Sequence, residues 1–326
     1  MRAVDDSGMT RAVVATAYGG PEVLSVIETP VGPPGPGEVR ISVQAAATNP
    51  IDYKVYSGAL GRDPARLPMR LGSEVAGMVA EVGGDAFSVE GPGGLVGAGD
   101  EVVAYRVAGG YAADLVVPAS SVIAKPSTLS FEQASGLMLT GVTAVHALTV
   151  VRVSAGETVL VYGASGGVGL MAIQLAAAAG ARVIGTASPG AHALVRELGA
   201  EPVTYGAGLE ERVRALAPGG VDAAVDCAGG DEALDTSLAL VASRGKIVTV
   251  VASRRAFDSG IKVIGGAPGA DPGTEIRAAA RLSLARLAEA GKLRVVVAAA
   301  YPLAETAAAH RALATGHTRG KIVLVP

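Results

Sequence analysis

A run of apolar residues that breaks into glycines constrains this chain more than any other stretch: Val159-Leu160-Val161-Tyr162-Gly163-Ala164-Ser165-Gly166-Gly167-Val168-Gly169. It reads as a buried strand, a tight loop and the start of an alanine-rich helix over residues 170–179. A loop with so few side chains lets a ligand come against the backbone, and the first helical turn offers free amide hydrogens and the positive end of the dipole. That combination suits the pyrophosphate of a dinucleotide. In this reading Gly166 and Gly167 keep the turn open and Gly169 lets the helix lie close to its strand. Ala164 takes the place of the first glycine of the fingerprint, and Ser165 and Val168 complete the loop.

The same letters fit a second chemistry. Gly163-Ala164-Ser165-Gly166-Gly167 matches the G-x-S-x-G elbow of serine hydrolases, which also sits between strand and helix. Asp226 and His310 follow Ser165 in the order such a triad needs. No glycine-rich run for an oxyanion hole precedes the loop, and the third glycine at Gly169 favours the nucleotide.

With 326 residues, half of them hydrophobic, the chain can bury cores for two domains of ordinary size. A net charge of -3 gives no basic field for a phosphate backbone, which argues against nucleic acid as a partner. The lone cysteine, Cys227, excludes an internal disulfide and a multi-cysteine zinc cage, and fits a reducing, cytoplasmic compartment. Lying just past an apolar strand, it reads as a small packed residue rather than a nucleophile. His146, His192, His310 and His317 are scattered, with no HExxH-like pair, so no metal site is expected. Residues 158–181 carry no charge, but their glycines, Ser165 and Gln174 suit a strand and a buried helix better than a membrane span. No signal-peptide shape opens the chain, and residues 1–8 read as a disordered tail.

From Arg11 to about Pro126 the texture is that of strands. Val39, Ile41, Val43 and Ala45 alternate with Arg40, Ser42 and Gln44, the period of a half-buried strand. Gly-Pro clusters at 31–37 and 90–99 read as surface turns, and further strands are expected at 75–82, 101–105 and 111–117. At Ser130 the texture changes, because Ser130-Phe131-Glu132-Gln133 is a capping box that opens a helix. Beyond it strands at 158–162, 182–185, 221–226 and 246–251 alternate with helices, which predicts a parallel sheet with right-handed crossovers. A helix over 275–290, capped by Thr274 and stopped by Gly291, precedes a tail that reads strand, helix, strand.

Cofactor choice is argued from the end of the second strand of that sheet. An NAD site wants a carboxylate there, about 20 residues after the glycine loop, for the ribose hydroxyls. Residues 182–188 contain none, so a 2′-phosphate meets no repulsion and NADPH is expected.

Taken in order, several stretches give the chain a likeness as a whole. They are Asn49-Pro50-Ile51-Asp52-Tyr53-Lys54, Gly72-Ser73-Glu74-Val75-Ala76-Gly77, Gly99-Asp100-Glu101-Val102 and Gly110-Tyr111-Ala112. Then come Thr140-Gly141-Val142-Thr143-Ala144, the glycine loop, Leu198-Gly199-Ala200 and the ending Gly320-Lys321-Ile322-Val323-Leu324-Val325. With these the sequence resembles the medium-chain dehydrogenases/reductases over nearly its full length, and within them the zinc-free quinone oxidoreductase branch that includes the zeta-crystallins. The resemblance implies an α/β chain with two domains: a GroES-like β-barrel catalytic domain at 1–128 and 292–326, and a Rossmann doubly wound parallel-sheet domain at 129–291. Zinc-dependent cousins place Cys and His where this chain has Asn49 and Ser73, so the resemblance implies no catalytic metal, and hydride reduction of a quinone or an α,β-unsaturated carbonyl rather than alcohol oxidation. Asn49, Tyr53 and Lys54 match the stretch that lies beside the nicotinamide, with Tyr53 or Lys54 placed to stabilise the substrate oxygen or supply the proton.

The family also implies cofactor contacts at Thr143, Gly229 and Val250. It usually has a lysine at the position of Ala191 and a tyrosine at that of Tyr205 beside the 2′-phosphate. Here Ser188, His192, Tyr205 and Arg319 are left for that task. Residues 253–266 are compressed relative to the family, and the loop 83–99 is longer. A cytoplasmic homodimer is implied through edge-strand pairing near 261–265. Two further readings belong to the same resemblance: an enoyl thioester reductase, whose usual Asn-Phe-Arg-Asp is replaced by Asn49-Pro50-Ile51-Asp52, and a nucleotide-binding protein without turnover.

Overall fold

The computed structural model describes residues 8–84 and 97–326. Residues 1–7 of the expected tail, and 85–96 of the long loop and its Gly-Pro turns, lie outside them. The chain forms two compact units, residues 1–139 with 282–326 and residues 140–281.

The first unit contains strands β1 (Met9–Ala15), β2 (Leu24–Pro30), β3 (Glu38–Ala47), β4 (Met69–Arg70), β5 (Glu74–Val82), β6 (Glu101–Tyr105), β7 (Asp114–Pro118) and β8 (Val122–Ala124). The second unit holds β9 (Thr158–Tyr162), β10 (Arg182–Thr186), β11 (Glu201–Val203), β12 (Ala223–Asp226), β13 (Ile247–Thr249) and β14 (Lys262–Val263). The last two strands, β15 (Val297–Pro302) and β16 (Lys321–Val325), return to the first.

β3 shows the expected alternation: Val39, Ile41, Val43 and Ala45 are buried while Arg40, Ser42 and Gln44 are half-buried. One face of this strand therefore feeds the core that also holds Val75, Val102, Leu115, Ile322 and Leu324. β3 pairs antiparallel with β5 and β7, and its end pairs with β16 at Ala46 and Ala47. The C-terminal tail thus completes the sheet that the N-terminal segment begins. A smaller sheet, β2-β1-β4, belongs to the same unit. The expected strand at 111–117 starts only at Asp114: Tyr111 N–H donates to Leu71 O and Ala113 N–H to Arg11 O, and of these residues only the Ala113 carbonyl still reaches β3, accepting from Val43 N–H at 2.8 Å.

In the second unit all six strands are parallel, in the order β11-β10-β9-β12-β13-β14. The chain runs outward from β9 to β11 on one side and from β12 to β14 on the other. The order reverses between β9 and β12, and a crevice for a ligand opens at the carboxyl ends of such strands. β12 and β13 are shorter than expected from 221–226 and 246–251. Thr249 ends β13 by turning its hydroxyl to accept from Val251 N–H.

The units divide at 139/140 and 281/282, where the sequence suggests 128/129 and 291/292. The capping box forms as read, with Ser130 and Gln133 exchanging hydrogen bonds, but the helix it opens, Phe131–Ser135, stays with the first unit. Leu139 N–H donates to Glu74 Oε2 at 2.8 Å, and a Cβ on Gly136 would meet Lys321 Cγ at 2.9 Å. At the other boundary the long helix Thr274–Glu289 takes Thr274 into its first turn. Its end is fastened to the first unit by Glu289, whose carboxylate accepts from Ser127 N–H and Oγ–H at 2.6 Å. No helix among the described residues is long and apolar enough to cross a membrane.

Candidate active site

The expected site residues fall into two sets. Asn49, Tyr53, Lys54 and Arg319 belong to the first unit; the glycine loop, Thr143, Ser188, His192, Tyr205, Gly229 and Val250 belong to the second.

In the first unit β3 ends against the helix Pro50–Tyr56. Asn49 is its extended N-cap, Pro50 fills the first position, and the Asp52 carboxylate accepts the Asn49 N–H at 2.8 Å. The Asn49 side chain is buried and fully engaged. Its Nδ2 donates to Glu74 Oε1 at 3.0 Å, and its Oδ1 accepts from Lys321 Nζ at 2.6 Å. Lys321 Nζ also donates to Glu74 Oε1 at 3.1 Å and to Thr48 O at 3.0 Å. A buried ammonium and carboxylate so supplied with partners form a rigid block behind the helix. Tyr53 and Lys54 follow one turn on and are half-buried, Tyr53 packing against the core of the sheet. Arg319 is exposed on the turn before β16.

Asp52 leads into a second buried group. Its Oδ2 accepts from Tyr111 Oη–H at 2.7 Å; Tyr111 Oη lies 3.2 Å from His310 Nε2, and His310 Nδ1 lies 3.0 Å from Tyr56 Oη. Burial pushes the Asp52 carboxyl up to about 6, against the opposing pull of Tyr111, the Asn49 amide and Lys321. Burial also holds His310 down at about 4. Loss of solvent, followed by the Asp52 charge, raises the Tyr111 phenol well above its ordinary value.

In the second unit Gly163 takes φ +65°, its N–H donates to Thr186 Oγ1 at 3.0 Å, and Ala164 N–H donates to Thr186 O at 2.9 Å. Gly166 is the N-cap of the helix Gly167–Ala178, whose first internal bond runs from Leu170 N–H to Gly166 O. The amides of Gly167, Val168 and Gly169 precede that bond and have no partner within the helix. Ala164 and Gly169 are buried, while Ser165, Gly166, Gly167 and Val168 are partly open. A Cβ on Gly169 would sit 2.1 Å from Gly163 O, so glycine is required there for helix and strand to meet. The cradle fits a pyrophosphate.

Parallel pairing sets Thr186 beside Val203, so the residues just beyond β10 and β11 lie side by side. Ser188 and Tyr205 occupy matching places, and His192 Nε2 lies 3.2 Å from Ala187 O and 3.4 Å from Thr204 Oγ1. The loop under Tyr205 is held by Arg212, which donates to Thr204 O, Gly206 O and Ala207 O. Tyr205 itself is 48% exposed. Beyond β12, Asp226 Oδ1 accepts from Ala228 and Gly229 N–H at 2.9 and 2.8 Å, and its Oδ2 accepts from Thr249 Oγ1–H at 2.7 Å. That carboxylate ties the loop of Gly229 to the turn of Val250. Thr143 is buried on the helix Met138–Val150. Burial and the Asp226 charge push the Cys227 thiol up, away from nucleophilic chemistry.

The hydrolase reading finds no support in these contacts: Asp226 is engaged by Ala228, Gly229 and Thr249, and His310 is buried between Tyr56 and Tyr111. Sequence reasoning gave no role to Glu74, Asp52, Tyr111 and Lys321, and read His310 only as a triad partner, so it missed the buried network they form behind Asn49 and Asp52. Asp52, Glu74, Tyr111 and Lys321 all lie in stretches that carry the family likeness, and Lys321 gave a physical signal as well: it opens the otherwise apolar run that ends the chain, and a charge that close to a buried strand needs a partner.

Comparison with known proteins agrees with this architecture. The alcohol dehydrogenase GroES-like domain family matches residues 35–127, and the zinc-binding dehydrogenase family matches residues 198–324. A quinone oxidoreductase of Mus musculus is 34% identical over 97% of this chain and 98% of its own, and one from Pseudomonas aeruginosa is 34% identical over 98% and 100%. The Escherichia coli quinone oxidoreductase complexed with NADPH superposes with a TM-score of 0.83 at 29% identity, over 97% of this chain and 100% of that one. The fold, the glycine cradle and these relatives define a nicotinamide-dependent oxidoreductase. The chain belongs to the medium-chain dehydrogenase/reductase family, in which the zeta-crystallin-like quinone oxidoreductase branch fits it.

The family that matches residues 198–324 is described by zinc binding. Among the described residues no group of three or more His, Cys, Asp or Glu could hold a metal ion. The carbonyl oxygen of Asn49 and the carboxylate of Glu74 already face the ammonium of Lys321, and a divalent cation beside that charge would be repelled.

Proposed function

We propose that this protein is a metal-independent, NADPH-dependent reductase of quinones or α,β-unsaturated carbonyls, acting in the cytoplasm. One observation carries the choice of reaction: Lys321 Nζ stands 2.6 Å from Asn49 Oδ1, on the residue that takes the place of a zinc ligand in the zinc-dependent cousins. Oxidation of an alcohol leans on a metal to hold the alkoxide, whereas a conjugated carbonyl that accepts a hydride needs only a donor to its oxygen.

In this reading the amides of Gly167, Val168 and Gly169 hold the pyrophosphate, with Ala164, Ser165 and Gly166 shaping the approach. Ser188, His192, Tyr205 and Arg319 receive the 2′-phosphate, and no carboxylate stands at 182–188 to repel it. Thr143, Gly229 and Val250 flank the nicotinamide, and Asn49 fixes the wall that carries Tyr53 and Lys54. When bound, NADPH supplies the hydride from C4 of its nicotinamide ring. Tyr53 or Lys54 donates a hydrogen bond to the substrate oxygen as charge builds on it, and the same group or water delivers the proton.

A homodimer through residues 261–265 is part of the proposal. β14 is the edge of the six-stranded sheet, and Asp271 lies along it, donating its N–H to Val263 O and accepting from Gly265 N–H. A second copy pairing there takes that edge from Asp271.

The test is a titration with NADPH and with NADH, followed by addition of a quinone and then a simple enone. Tighter binding of NADPH and loss of its absorbance on adding an acceptor is the expected result. Binding of neither nucleotide overturns the reading. Binding without turnover on any conjugated carbonyl reduces it to a nucleotide-binding protein.

A further inference from the structure

The group around His310 is buried, satisfied and unused by the chemistry above. Tyr56, Tyr111 and His310 are each no more than 1% exposed and Asp52 is 6% exposed, yet all four side chains are polar and in contact through hydrogen bonds. A hydrophobic filling would cost less, so the arrangement calls for a reason.

Its direction can be worked out. Tyr111 spends its only hydroxyl hydrogen on Asp52 Oδ2, so towards His310 it can only accept, and His310 must carry its proton on Nε2. His310 Nδ1 is then an acceptor, and Tyr56 Oη–H donates to it. The bonds therefore run one way, from Tyr56 through His310 and Tyr111 to the Asp52 carboxylate. Each polarises the next towards the negative end. That carboxylate receives the Asn49 N–H and so closes the first turn of the helix on which Tyr53 and Lys54 sit.

We propose that His310 is a positioning residue for the reduction, acting through Tyr111 and Asp52 on the turn that presents Tyr53 and Lys54. The inference rests on the reductase reading. The charged and titratable groups that face the chain of bonds are Lys321 and Glu74 towards Asp52, and Glu22 and Tyr53 towards Tyr56. None of them can replace the imidazole, which alone can accept from one tyrosine and donate to the other.

The experiment compares His310→Leu, His310→Gln and Tyr111→Phe with the wild type, using NADPH and whichever acceptor the wild type reduces. His310→Leu cuts the chain and is expected to lower kcat about tenfold or more, with the KM for NADPH unchanged. His310→Gln, whose amide can both accept and donate, is expected to recover most of that loss. Tyr111→Phe removes a single oxygen and keeps the packing, so it serves if the leucine variant does not fold. It withdraws a bond that holds the Asp52 carboxylate ionised, and the acid limb of kcat/KM is expected to move to higher pH.

Wild-type kcat and an unmoved acid limb in both His310→Leu and Tyr111→Phe would overturn the inference, whatever happens to melting temperature. Wild-type protein that binds NADPH and reduces no acceptor fails the reductase reading instead. The network is then judged by the carboxyl 13C titration of Asp52, assigned with Asp52→Asn, and a midpoint that Tyr111→Phe does not raise overturns it.

Discussion

Gly169 has no room for a side chain. The nearest atoms to an added Cβ are backbone, Gly163 O at 2.1 Å and Ala164 Cα at 2.7 Å, and neither can move without shifting the loop against its strand. Gly169→Ala is expected to destabilise the protein by about 1–3 kcal/mol and to weaken nucleotide binding, because the strain falls on the phosphate cradle itself. Urea unfolding and an NADPH titration check both effects, and wild-type values in both would remove the close-approach argument. His310 makes a second prediction at this scale. Its folded value lies near 4, below the ordinary 6.5, so between these the unfolded chain binds the proton and the folded one does not. Stability from this group is present above pH 6.5 and lost as pH falls towards 4. Asp52, raised from 3.8 to about 6, acts in the opposite sense: its stability is present below 3.8 and lost as pH rises through 6. Replacing the imidazole takes away the first trend and keeps the second. His310→Gln should therefore lose less stability than wild type between pH 7 and 4.5, read by urea midpoints at the two pH values; parallel losses would show that His310 is not the group that titrates.

Strands and helices carry the larger share of what could be read in advance, and they also show where reading stopped. The alternation of β3, the apolar run of β9 and the glycine break after it report burial on one or both faces, which is a local property of sequence. The start of β7 was not legible, because the bonds that Tyr111 and Ala113 donate just before Asp114 run to residues far away in the chain. The limits of the compact units were not legible for the same reason: the capping box at Ser130 marks a helix but cannot say which core that helix joins. Nor could spacing bring Lys321 to Asn49 across 272 residues. That contact is open to a direct test between elements. Lys321→Met leaves Glu74 buried with the Asn49 amide and Leu139 N–H but without its counter-charge, and is expected to cost about 3–5 kcal/mol. Glu74→Gln with Lys321→Met should recover part of the loss, since a neutral amide needs no cation. Melting temperatures of the two variants decide it, and a double variant no more stable than the single one would mean that the lysine acts through packing alone.

At the scale of the whole molecule the open question is how many chains work together, and it turns on one edge. The resemblance that the phosphate loop helps to carry also implies pairing of two copies through residues 261–265, and a twofold contact of that kind sets the same strand against itself. The same resemblance implies that the stretch leading there, 253–266, is compressed, and Asp271 lies along β14 with its backbone bonded to Val263 and Gly265. Its carboxylate is also placed, 3.2 Å from Nε2 of the buried His146, whose Nδ1 accepts from Arg277. A covered edge of this sort is how proteins keep a strand from recruiting a partner. The two expectations meet in one measurement, sedimentation equilibrium of the wild type and of Asp271→Ala. Dimerisation through β14 predicts twice the chain mass for wild type and tighter association for the variant, which keeps the backbone bonds of residue 271 but loses the carboxylate contacts to His146 and Gly273 that anchor it along the edge. A wild type of single-chain mass that becomes a dimer in Asp271→Ala would make Asp271 the residue that keeps the edge closed. Single-chain mass in both would withdraw the homodimer from the proposed function while leaving the nucleotide cradle and the buried network, each contained in one unit, untouched.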